Sequence, residues 1–366
     1  MGSGAFDPNR DTIFLCLGGS HAHGTARNAS DIDVRGVGIA PLPSRLSFGP
    51  QFEQYEGDLP SGLADRLKQK VATESPPKVE TTIFDITKFA RLCVDANPNT
   101  LEILFTDEAA WLLESPAWKK LWQARHEFLS RKAADTFGGY ALAQLKKIKS
   151  HRAWLLHPPA GKPTRTDFGL PESGTLSADE RNRLEEAIAA KLRTWSIDDL
   201  DMPKAARIGL ESRMLEFWAD VLRTADELTE DAMRAAAARG LGLSGELLEA
   251  LNREKRYQAE RRHWDSYCRW KAERNPARAD LEARFGYDTK HGAHLIRLMR
   301  MGVELIESGN LKIRRRDADE LLQIRDGAWS YDQLVKVANE LEKRMKAAVE
   351  NSPLPVAADA ERLDSL

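Results

Sequence analysis

The segment Gly18-Gly19-Ser20-His21-Ala22-His23-Gly24-Thr25-Ala26-Arg27-Asn28-Ala29-Ser30-Asp31-Ile32-Asp33-Val34-Arg35-Gly36 combines residue types able to handle phosphate and divalent cations. A Gly-Ser turn after a strand offers backbone N–H groups and a hydroxyl to phosphate oxygens. Side chains alternate along a strand, so Asp31 and Asp33 project from one face while Ile32 and Val34 anchor the other. Parallel carboxylates repel each other unless a cation sits between them, and hard ions such as Mg²⁺ prefer oxygen ligands. Two such ions would activate an attacking hydroxyl and neutralise a departing pyrophosphate. A lone Asp-x-Asp is common on surface strands. The ordered set of strand, Gly-Ser turn and second strand carries the reading.

The elements that must position these residues can be read from pattern. The apolar run Ile13–Leu17 predicts a buried strand ending at Gly18-Gly19. Asp31 to Ile39 alternates as a second strand, and Val79 to Ile86 is rich in β-formers and predicts a third. Residues from about 41 to 77 are rich in Pro, Gly and charge without a sustained period, and predict a long excursion or loop. Helices are expected from Thr87 onward, with a break at Asn97-Pro98 and a long helix from Ser130 to His157. Beyond a Pro-containing loop, Ser177-Ala178-Asp179-Glu180 is a capping box. Further helices are expected around Ala205–Ala225, Glu230–Arg239, Ser244–Arg274 and Lys290–Glu307, with a last one from about Ser330. The fold class is therefore α+β, a mixed-sheet head followed by a large helical region. The expected division is 1–110, 111–350 and a disordered tail at 351–366.

The segment resembles the Gly-Ser and Asp-x-Asp signature of DNA polymerase β-type nucleotidyltransferases. Ser30-Asp31-Ile32-Asp33-Val34-Arg35-Gly36-Val37 is similar to one branch, the RNA repair pathway DNA polymerase β family of bacteria and phages. The likeness extends to Phe89, Asn97-Pro98-Asn99, Glu102, Gly138-Gly139-Tyr140 and Gln144-Leu145-Lys146. It continues through Asp288-Thr289-Lys290-His291, Arg297, Arg300-Met301-Gly302 and Trp329-Ser330-Tyr331. The resemblance implies a polymerase β-type nucleotidyltransferase head, a nucleoside triphosphate donor and Mg²⁺, as two ions, with Mn²⁺ as a substitute. It also implies that Asp31 and Asp33 are catalytic metal ligands and that Gly19 and Ser20 bind nucleotide. A third acidic residue on a neighbouring strand is usual, which Glu80 matches in place, with Asp85 of opposite parity as the alternative. The expected reaction moves an NMP from the NTP to a hydroxyl, of an RNA or tRNA end, a protein or a small molecule. A non-catalytic nucleotide- or RNA-binding module on the same fold is the rival.

Lys290, His294 and Arg297 fall at i, i+4 and i+7 on an otherwise apolar helix, so one stripe carries all three. A triphosphate or acceptor phosphate could neutralise them, and so could internal carboxylates. His291 and His294 alone are weak evidence for zinc. Lys146, Lys147, Lys149 and Arg152 form the better of two stretches for nucleic-acid contact. The other, Arg253 to Arg274, mixes Arg256, Arg261, Arg262 and Arg269 with Tyr257, Trp264, Tyr267 and Trp270, but acidic residues dilute it.

Composition sets outer bounds. The chain has 366 residues, 42% hydrophobic and 30% charged, with a formal net charge of -2, so any nucleic-acid binding must be local. Cys16, Cys93 and Cys268 form no CxxC pair, which fits a reducing cytoplasm. Met1-Gly2-Ser3-Gly4 has neither region of a signal peptide, and no apolar run approaches the ~20 residues of a membrane span. Oligomeric state is not readable.

Overall fold

A computed structural model describes residues 5–173 apart from 29, 47, 50 and 72–77, scattered positions between 179 and 190, and residues 245–365 apart from 275. Contacts divide the chain into two compact units, Met1–Pro158 with Asn275–Leu366, and Pro159–Arg274. The grouping departs from the expected boundary at residue 110, because the last helices pack onto the first 158 residues.

The described strands of the first unit are β1 (Thr12–Leu17), β2 (Ile32–Gly38), β3 (Gln54–Gly57), β4 (Val79–Asp85) and β5 (Trp111–Glu114). They form a mixed five-stranded sheet in the order β3-β4-β2-β1-β5. Strand β2 runs antiparallel to β1 and parallel to β4, in a register that sets Asp33 beside Glu80. A parallel pair needs a long crossover, and residues 39–78 supply it.

That crossover is more structured than the expected loop. It holds α2 (Leu42–Arg45), β3, and α3 (Ala64–Val71). These elements are short, so no apolar period builds up. Leu67 of α3 is nevertheless buried, and β3 pairs with Phe84 to Thr81 of β4.

Both faces of the sheet are covered. Leu15, Leu17, Ile32, Val34 and Ile83 face a small core closed by Leu63 and Leu67. Phe14, Cys16 and Val37 face the main core, where Phe14 stacks on Trp118 with ring centroids 3.7 Å apart. Asp33 and Arg35 share that second face, at the end of β2 where the core gives way to a cleft.

The helices of the main core are α1 (Gly19–His23), α4 (Ile86–Val94), α5 (Pro98–Leu104), α6 (Pro116–Gln123) and α7 (Ala133–Leu156). Asp85, Asn97 and Ser115 cap α4, α5 and α6 with their side chains. In the second unit lies α8 (Gly245–Glu273), whose buried Glu254 pairs with Arg165 at 2.8 Å. Four more helices of the first unit follow: α9 (Pro276–Phe285), α10 (Thr289–Ser308), α11 (Ala318–Arg325) and α12 (Tyr331–Ala348). Ser330 and Gln333 form a capping box at the start of α12. The helices expected at 205–225 and 230–239, and the capping box that begins at Ser177, lie outside the described residues. No described helix is long and apolar enough to cross a membrane.

The segment 351–366, expected as a disordered tail, is described to residue 365 and packs onto the first unit, ending in α13 (Ala360–Asp364). Leu354 is buried, and the Ser352 hydroxyl donates to Ile306 O at 2.6 Å. The Arg131 guanidinium donates to Leu354 O at 2.9 Å and Ser352 O at 3.0 Å. Hydrogen bonds from a charged group contribute about 1.5–3 kcal/mol each. Arg131→Ala should lower stability by roughly 1–3 kcal/mol and speed proteolysis beyond residue 350. Denaturation and limited proteolysis indistinguishable from the parent chain would contradict this docking.

Candidate functional site

A cleft of about 1030 Å³ opens at the end of β2, lined by Gly19, Ser20, Asp31, Asp33, Glu80, Lys290, His294 and Arg297 among others. Residues separated by more than 270 positions in the sequence thus meet at one opening. One wall is formed by the ends of the central strands β2 and β4 with their carboxylates. The other is α10, with α11 beside it.

The turn between β1 and α1 is held tightly to β2. Gly18 N donates to Asp33 O at 2.7 Å. Gly19 has φ +53°, and a Cβ there would stand 2.1 Å from Asp33 Oδ2. Only glycine lets the turn lie against that carboxylate. Asp33 Oδ1 is held from the other side by the Arg35 guanidinium at 2.7 Å. Arg35 also donates to Glu80 O at 3.2 Å, so β2 and β4 are tied at the site.

Glu80 lies on the cleft and pairs with Lys78 at 2.6 Å, and that contact lowers its pKa below the usual value. Asp85 sits at the opposite end of β4, buried, where it caps α4 and pairs with Arg45 at 3.0 Å. Of the two candidates for a third carboxylate, Glu80 stands beside Asp33 and Asp85 is engaged elsewhere. Asp31, Asp33 and Glu80 all line the cleft, and carboxylate oxygens are the donor type that hard divalent ions prefer.

Behind the turn lies a buried charged cluster. Arg297 Nη1 bonds to Glu102 Oε1 and lies 2.9 Å from His23 Nε2, which is itself 3.0 Å from Glu102 Oε2. Burial alone would raise the Glu102 pKa, but Arg297 and His23 outweigh it and hold the carboxyl well below its usual range. His23 is pushed down by burial and by Arg297. Of the two partners expected for Arg297, the internal carboxylate is the one it has.

The other predicted residues separate. Lys290 is exposed at the rim. Burial, with Arg297 adding, pushes His294 down to about 3. Lys146, Lys147 and Lys149 are exposed on α7 and do not line the cleft. Arg152 is spent on structure, donating to Gly286 O at 2.8 Å and lying 4.4 Å from the Tyr331 ring centroid.

Sequence reasoning missed Arg27, Arg35, Arg325 and His23, all of which line the cleft. Two of these carried a signal. Arg35 follows Asp33 at the two-residue strand period, and His23 lies on the short helix after the Gly-Ser turn.

Residues 7–154 match the RNA repair pathway DNA polymerase beta family, a match that suggests nucleotidyltransferase-like function. No curated protein and no solved structure matches the chain.

Two outcomes follow from the geometry. Gly19→Ala should cost about 1–3 kcal/mol through the positive φ and displace the Asp33 carboxylate, read by thermal denaturation and a crystal structure. An unshifted Asp33 in a variant as stable as the parent would count against the fit described. His294 falls from 6.5 to about 3 on folding. The unfolded chain therefore binds a proton that the folded chain refuses between those values, so this group's contribution is full above 6.5 and declines as pH falls. His294→Gln should reduce the loss of stability between pH 7 and pH 5 by roughly 1–2 kcal/mol. Urea denaturation at the two pH values measures it, and an equal loss in both proteins would refute the assignment.

Proposed function

From that family match, and from Asp33 and Glu80 standing in register beside the Gly-Ser turn, we propose that the chain is a nucleotidyltransferase. It transfers an NMP from an NTP to a hydroxyl and releases pyrophosphate. The observation that carries the reading is the pairing of carboxylates at the ends of β2 and β4 with a turn that only glycine permits. The family description supports an RNA end as acceptor, and a protein or small molecule is the alternative.

Mg²⁺ held by Asp31, Asp33 and Glu80 would neutralise charge on the triphosphate and the leaving pyrophosphate, and Mn²⁺ would substitute. Every other element of the reading uses the chain's own groups. The acceptor oxygen forms its bond to the α-phosphorus as the bond from that phosphorus to the β-bridging oxygen breaks. The electron pair leaves with pyrophosphate. The hydroxyl proton passes to a cleft carboxylate or to water. Gly19 and Ser20 offer backbone N–H and hydroxyl donors to the triphosphate.

Lys290, exposed on the cleft, supplies positive charge to the triphosphate or acceptor. His294 is neutral near pH 7 and contributes a hydrogen bond rather than charge. Arg297 is a positioning residue that acts through His23 on the helix bearing Ser20. Arg35 keeps Asp33 aimed, because it holds Oδ1 and leaves Oδ2 toward the turn.

The test is Asp33→Asn in the full chain, assayed for pyrophosphate release with each NTP, Mg²⁺ and a pool of RNA, protein and metabolites. Loss of at least about 100-fold is expected, the size seen when a charge-stabilising group is removed from such a site. Circular dichroism should be unchanged. A folded variant with full turnover would reject the reading.

A further inference from the structure

We propose that His151, Asp288 and His291 bind a first-row transition-metal ion, Zn²⁺ in preference to Mg²⁺, as a separate site from the cleft carboxylates Asp31, Asp33 and Glu80. One ligand atom from each lies within 4.8 Å of the other two. His151 comes from the last turns of α7, and Asp288 and His291 from the N-cap and first turn of α10. The inference does not depend on the nucleotidyltransferase reading.

The donors are carried by well-held backbone. Arg152, next to His151, donates to Gly286 O, and Gly286 has φ +74° with no space for a Cβ, which would stand 2.7 Å from Arg152 Nη1. Tyr287 donates through its hydroxyl to Trp329 O at 2.9 Å, and Thr289 to Arg325 O at 2.7 Å. The segment 286–289 is therefore fixed on both sides. The Trp154 ring stacks on His151, with centroids 5.6 Å apart and planes at 23°. The His151 and His291 rings meet edge to face at 6.0 Å.

The chemistry of the three donors selects the ion. Two imidazoles and one carboxylate favour Zn²⁺ and its neighbours, whereas Mg²⁺ prefers oxygen and retains its waters. Asp288 divides its oxygens. Oδ1 accepts from His291 N at 3.0 Å and caps the helix, while Oδ2 lies 2.6 Å from His291 Nδ1. A bound cation would take the place of that second contact and part the two atoms to the roughly 3.3 Å spacing of ligands on a tetrahedral zinc. The Asp288 side chain is 4% exposed and that of His291 24%, so the anion is shielded while one side stays open to water as a fourth ligand.

Such an ion would tie α7 to the first turn of α10, the turn that places Lys290 on the cleft. It would brace the wall opposite the carboxylates.

Chelator-treated full-length protein is titrated with Co²⁺, whose visible bands report tetrahedral coordination by nitrogen and oxygen, and with Zn²⁺ in competition. One ion per chain is expected. Asp33→Asn should retain that ion, which separates this site from the proposed catalytic one. His151→Gln and His291→Gln should each weaken binding at least about 10–100-fold and abolish the rise in melting temperature that Zn²⁺ gives the parent chain. Circular dichroism identifies a misfolded variant, and the other histidine then decides. Absence of a tetrahedral Co²⁺ spectrum in the parent chain, or one unchanged in a folded histidine variant, would overturn the proposal.

Discussion

The contact of Arg297 with Glu102 and His23 is the constraint on which the site depends. It joins α10, α5 and α1, which are far apart in sequence, at the inner wall of the cleft. Removing one member would leave the others charged and buried, at a cost of about 3–5 kcal/mol. Helix α1 has only five residues and cannot hold itself, since a single turn returns too little for the backbone order it requires. Its position is borrowed. Gly18 N binds Asp33 O at one end, and at the other His23 O accepts from Arg315 N at 3.0 Å while the His23 ring meets Arg297. The Gly-Ser turn is thereby pinned before any ligand arrives, which removes an ordering cost from binding.

The cleft carboxylates illustrate a different compromise. Asp31, Asp33, Glu80 and Glu56 share one opening, an arrangement that repulsion disfavours. The chain offsets it locally with Arg35 on Asp33 and Lys78 on Glu80. Both pairs are partly or largely exposed, so they are weak and easily exchanged for other cations. Local inconsistency of this sort belongs at functional sites, where neighbours hold in place what local energetics would disperse.

The parts of this arrangement written in one stretch of sequence were legible. Strand β1 announced itself by its apolar run and β2 and β4 by alternation and β-formers, which put Asp33 on the face of β2 that meets the cleft, while Asp31 lies just before the strand. Strands β3 and β5 did not, because each has four residues and lies at an edge of the sheet, too short for a period to show. The tail was misread because its composition, rich in Pro and Ala, is that of disorder, while its docking depends on Arg131, more than 200 residues earlier. The same distance hid the pairing of Arg297 with Glu102. A sequence displays a buried cation and a buried anion but not which anion meets which cation.

The stripe Lys290, His294, Arg297 brings that limit into focus. Helical spacing put the three on one face, and all three line the cleft. Yet they stand in different surroundings along it: Lys290 is exposed, burial pushes the His294 pKa down, and Arg297 is paired with Glu102. Arg27 and Arg325 line the same opening from a loop and from α11, and Arg27 pairs there with Asp326. A phosphate entering the cleft would meet cations at its mouth, hydrogen-bond donors deeper in, and a closed ion pair behind them. Such an order favours capture of an anion at the surface without trapping it in the interior, where a fully paired Arg297 offers it nothing further.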